Sequence, residues 1–126
     1  MDDEQAVREL ADRLRDRFPE EAAQTDSRFT ERESIGRTPS GYDWIEAFAG
    51  RVANAVRERR GADVEELTGF FAKQYRDGPV AVQRIVDVAL AENILFGLDD
   101  QAKAWAWPHI AIEIRHLYAA TWGVPH

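Results

Sequence analysis

At 126 residues the chain has the length of one domain and enough material for one hydrophobic core. Its 44% hydrophobic and 10% aromatic content argues against a disordered chain, and the absence of cysteine excludes disulfides, thiolate metal sites and a cysteine nucleophile. Sixteen basic against 23 acidic residues give a net charge of −7, which disfavours nucleic acid and anionic lipid as partners and favours a basic one.

The start, Met1-Asp2-Asp3-Glu4, lacks the basic opening and apolar run of a secretory signal, and no stretch reaches the ~18 apolar residues of a membrane span. The expectation is a cytoplasmic protein that does not engage a membrane. Residues 2 to 33 carry eleven acids against six arginines, so most of the excess negative charge is N-terminal.

Val7, Leu10, Ala11, Leu14 and Phe18 recur at helical spacing, and Pro19 ends this first helix by pushing the residue before it out of the α region. Residues 25 to 41, rich in Ser, Thr, Gly and Pro, read as a long connection with a short helical turn near Glu31. Ser40 with Asp43 marks the N-cap of a second helix, whose stripe is Trp44, Ile45, Phe48, Ala49, Val52 and Val56. It closes on Arg57, Arg59, Arg60 and Gly61, a cluster read as a helix-end feature. Asp63 with Glu66 starts a third helix bearing Val64, Leu67, Phe70, Phe71 and Tyr75, and Asp77-Gly78-Pro79 breaks it.

From residue 80 to 96 apolar side chains wrap most of the circumference, the pattern of a helix buried on nearly all sides. Gly97 closes it and Asp99 or Asp100 caps a short helix near 100 to 106. Pro108 separates that from a last helix, His109 to about Thr121, with Ile110, Ile114, Leu117 and Tyr118 on one face. The predicted fold is all-α: residues 1–126 form a single domain, a compact bundle of five to six helices around the buried central helix 80–96.

Three groups of residues could carry a function. Glu92 and Asn93 interrupt the most apolar helix, and a buried carboxylate must find partners or take up a proton; they sit on a wet strip of that helix, hydrogen-bond to a neighbouring helix end, or line a cleft or interface. Glu113 and His116 form an E-x-x-H spacing with His109 one turn earlier, but a di-metal bundle needs a second such motif, which is missing, and the third histidine is the terminal His126. Trp105 and Trp107 point in opposed directions on a regular helix, so one indole is a candidate interface anchor unless Pro108 turns both inward.

There is no phosphate-cradling G-x-x-x-x-G-K-S/T, no G-x-G-x-x-G, no H-E-x-x-H and no G-x-S-x-G. No catalytic residue, cofactor or metal is expected.

Phe18-Pro19-Glu20, and the run from Asp77-Gly78 through Val82 to Leu90-Ala91-Glu92-Asn93, resemble a family of small helical bacterial proteins of unknown function, over about residues 10 to 98. Ala91 departs from the larger apolar residue of that pattern, and the long loop is unlike it. Members are similar to toxin immunity proteins in size, acidity and helical content. The resemblance implies a cytosolic protein that neutralises a cognate bacterial toxin by direct contact. Charge complementarity with a basic toxin domain then points to Asp12, Asp16, Glu20, Glu21, Asp26, Glu31 and Glu33, with Trp105 and Trp107 as anchors. The alternatives are a metal-binding or enzymatic bundle using Glu92, His109, Glu113 and His116, and a homo-oligomeric adaptor.

Overall fold

A computed structural model describes residues 3–33 and 41–125, and the side chains of 4–29 and 41–125. Among the described residues there are seven α-helices and no strand: α1 (Asp3–Arg17), α2 (Pro19–Glu33), α3 (Gly41–Arg57), α4 (Gly61–Asp77), α5 (Val80–Ile85), α6 (Asp100–Ala106) and α7 (Ile112–Trp122). A π-helical turn, Val86–Ala91, continues α5, and a 3-10 turn, Trp107–His109, follows α6. The all-α class stands, with seven helices in place of five to six.

The additional helix is α2. Pro19 interrupts the chain only locally: Phe18 N donates to Leu14 O at 2.7 Å and Ala22 N to Phe18 O at 2.9 Å, so helical bonding resumes within one turn. Residues 25 to 33, expected as loop, are helical. Among the described side chains of α2 the buried ones are Ala22, Thr25 and Phe29, too few and too small to read as an apolar stripe. Two of its hydroxyls bond back to the helix, Thr25 Oγ1 donating to Glu21 O at 2.8 Å and Ser27 Oγ to Ala23 O at 3.2 Å.

Helix α3 buries nine of its 17 residues and packs against α1, α2, α4, α6 and the π-helical turn. Phe48 lies among the rings of Phe18, Trp44 and Phe71, at centroid distances of 6.4, 5.5 and 5.8 Å, with Phe70 edge-on to both Phe18 and Phe71. The N-cap expected at Ser40 lies outside the described residues. Helix α4 begins two residues before the predicted start, without a side-chain cap at Arg60; Asp63 accepts from the Arg60 guanidinium instead of capping.

The segment 80–96 is not one continuous α-helix. Six residues of α-helix give way to the π-helical turn, and Glu92 to Gly97 form turns. Ala81, Val82, Ile85, Val86, Ala89, Leu90, Ala91, Ile94 and Leu95 are buried as expected, while Val80, Val88 and Phe96 are exposed. The segment packs on α1, α3, α4 and α7 and shares the centre of the bundle with α3. Asp99 caps α6, accepting from Ala102 N at 2.8 Å. The last helix starts three residues later than expected, because Pro108 sits inside the 3-10 turn and Ile110 is extended. No helix among the described residues is long and apolar enough to cross a membrane.

Candidate functional site

The acidic residues expected to meet a partner divide by what already holds them. Asp26 is committed internally, accepting from Trp44 Nε1 at 2.8 Å and from Arg15 Nη2 at 3.0 Å. Arg15 also lies 3.8 Å from Asp12 and over the Trp44 ring at 4.6 Å, so Asp12, Arg15, Asp26 and Trp44 form one ion-pair and aromatic cluster between α1, α2 and α3. Asp16 and Glu20 are exposed on either side of the Pro19 kink, and Glu21 is half-buried. Glu20 and Glu21 occupy the first turn of α2, where negative charge favours the helix. The side chains of Glu31 and Glu33 lie outside the described residues.

The two tryptophans are both half-buried against the core. Trp105 lies 4.6 Å from the His109 ring, tilted by 37°, with the Arg59 guanidinium over the indole at 5.2 Å, and Trp107 meets Tyr118 edge-on at 5.9 Å. The change of helix type at Trp107 turns each ring onto a different neighbour.

The histidine and glutamate set is dispersed. His109 Nδ1 contacts Glu65 Oε2 at 2.7 Å and lies over Gly61, where a Cβ would stand 2.7 Å from the ring. Glu113 accepts from Arg76 Nη1 at 2.7 Å, and His116 is exposed. Among the described residues no group of three or more His, Cys, Asp or Glu side chains could hold a metal ion.

Glu92 and Asn93 part company. Glu92 ties down the end of α7: its carboxylate accepts from Thr121 Oγ1 at 3.3 Å and its carbonyl from Trp122 Nε1 at 3.0 Å. Burial first, then the negative charges of Glu46, Glu92 and Asp87, push the Tyr42 hydroxyl above its ordinary value. Asn93 Nδ2 donates to Ala89 O at 2.9 Å, within the π-helical turn whose shifted ladder leaves carbonyls in need of a donor. That bond places Asn93 on the rim of a cleft.

The cleft, of about 630 Å³, opens between α2, α3 and the turn after the π-helical segment. Arg28 lines it from α2, Glu46, Gly50, Arg51 and Arg57 from α3, and Asn93 and Phe96 from the turn. Positions 46, 50, 54 and 57 recur at helical spacing, so α3 turns one face to the core and another to the cleft. Arg57 Nη1 donates to Asn54 Oδ1 at 2.8 Å, which orients it, while Phe96 is 78% exposed.

Arg51 is only 6% exposed. Its Nη1 donates to Gln24 Oε1 at 3.1 Å, and its Nε is buried without a hydrogen-bond partner. Burial pulls the guanidinium below its ordinary value, and the positive charge of Arg28 pulls it further. Among the described residues no ion pair engages Arg28, Arg51 or Arg57. Sequence reasoning missed Arg28 and Arg51, and read Arg57 as a helix end. One signal was present: Arg51 is the only charged residue between positions 47 and 56, flanked by the apolar stripe of α3.

No curated protein and no solved structure matches the chain. A family model described as a domain of unknown function, DUF7674, matches residues 11–123, which takes in the kink at Pro19, the cleft and both tryptophans. The chain belongs to the DUF7674 family, small and helical and of unknown function.

Proposed function

We propose that the protein is a binding protein with no chemical step of its own, which takes hold of a protein partner through the cleft between α2 and α3. The observation that carries this reading is the cleft's composition: three arginines without an ion pair among the described residues, next to the exposed ring of Phe96. Arginine and aromatic side chains are the residues enriched where proteins meet.

The specific form is neutralisation of a bacterial toxin in the cytoplasm. A net charge of −7, with Asp12, Asp16 and Glu20 exposed along α1 and the start of α2, supports fast encounter with a basic toxin domain. An acidic exterior and a basic cleft are compatible, because steering follows the summed field of the protein whereas docking follows the few groups that touch.

Co-expression with the products of neighbouring genes tests it. A tight complex is expected, weakened at least about tenfold by Phe96→Ala, the loss of one interface anchor. Charge reversal at Asp12, Asp16 and Glu20 together should slow association at low salt and leave dissociation unchanged. If no neighbouring product binds, or a complex forms that ignores Phe96, the cleft reading is wrong. A second reading, self-association, draws support from the exposed apolar side chains Val88, Phe96, Trp122 and Val124, and light scattering distinguishes one chain from two.

A further inference from the structure

The geometry points to an oxyanion site in this cleft: we infer that Arg51, with Arg28 and Arg57 lining the same space, receives a phosphate or carboxylate group of the ligand. This rests on the reading of the cleft as a binding surface and names the chemistry that it takes.

Among the described residues of the lining, three guanidinium groups face the one carboxylate of Glu46, two charges positive in a protein whose net charge is −7. That inversion is local, and among the described residues Glu46 forms no ion pair with any of the three. A guanidinium has five N–H donors in a fixed fork, and one that is buried needs them met. Arg51 spends one on the neutral amide of Gln24, and its Nε is unmet. Nε itself is enclosed, so an anion in the cleft meets Arg51 through its Nη donors, as a charge-assisted contact.

A second like charge close by, Arg28, raises the cost of leaving Arg51 without an anion. Space is provided as well. Gly50 lines the cleft beside Arg51, and a Cβ there would meet nothing within 4 Å.

The test uses inorganic phosphate and, separately, acetate, each against sodium chloride at matched ionic strength, with thermal melting and calorimetry on the full chain. Phosphate well above its dissociation constant should raise the melting temperature by about 4 °C beyond the chloride control. The shift should fall to the control level in Arg51→Met and in Gly50→Glu, which projects a competing carboxylate into the cleft. Without added anion, Arg51→Met should melt no lower than the wild type, because it removes an unpaired buried charge; a guanidinium serving only the fold would show the opposite. Should Arg51→Met fail to fold, Gly50→Glu carries the test, since position 50 has open space around it.

A shift with phosphate alone assigns a phosphoryl ligand, and an equal shift with acetate assigns a carboxylate. The inference is overturned if neither anion exceeds chloride, or if Gly50→Glu responds as fully as the wild type. Loss of partner capture in Phe96→Ala together with silent anion titrations would remove the oxyanion site and leave the cleft as a contact surface. Anion binding without any protein partner would do the reverse.

Discussion

The core face and the cleft face of α3 occupy the same seventeen residues and answer to different demands. On the core face Ile45, Phe48, Val52 and Val56 have no exposed surface, and Phe48 touches three other rings. On the cleft face Arg51 is nearly as enclosed, yet one of its donors has no acceptor. Where burial comes with complete packing it stabilises the fold. Burial with an unmet charge costs stability, and such groups are retained where a ligand completes them.

The sharpest way to break this comparison is to damage the core face alone. Phe48→Ala should lower the unfolding free energy by about 3–5 kcal/mol, as for other fully buried aromatics, read from urea denaturation. The protein that remains folded should bind phosphate as the wild type does. Parallel loss of stability and anion affinity would mean that the two faces are one unit.

A smaller effect is expected where a polar contact is complete. Thr68 is buried, donates to Val64 O at 2.7 Å and accepts from Ala111 N at 3.0 Å, which anchors the start of α7 on α4. Thr68→Val should cost about 1–3 kcal/mol, most of it from leaving the Ala111 amide without an acceptor. The contrast with Arg51→Met is one of sign: removing a satisfied buried polar group destabilises, and removing an unsatisfied charged one does not.

The elements that were legible in the sequence are those whose buried face is broad and made of large side chains. Leu10, Leu14 and Phe18 announce α1, and Ile45, Phe48, Val52 and Val56 announce α3. Helix α2 escaped because its described buried face is one alanine, one threonine and one phenylalanine, and because Thr25 and Ser27, which suggest loop, bond back to helix carbonyls. The π-helical turn was not legible either. Nothing in Val86-Asp87-Val88-Ala89-Leu90-Ala91 separates i→i+5 bonding from i→i+4. As for the site, the sequence singled out Asn93 for its polarity in an apolar helix. Arg28, Arg51 and Phe96 come from three separate elements, and only tertiary packing brings them to one space.

The finest comparison uses two glycines. Gly50 and Gly69 both lie inside helices, in α3 and α4, and a Cβ at either would meet nothing within 4 Å. Glycine in a helix interior costs about 0.5–1 kcal/mol relative to alanine, because the freer unfolded chain loses more entropy on folding. Gly69→Ala and Gly50→Ala should therefore each raise the stability by about that amount, measured by denaturant midpoint at constant slope. Gly69 does not line the cleft, so its gain calibrates the helix contribution alone. An equal gain at Gly50 establishes that position 50 faces open space in solution. A loss there, with the gain at Gly69 intact, would mean that the cleft closes around Gly50, and the room required for an anion beside Arg51 would be gone.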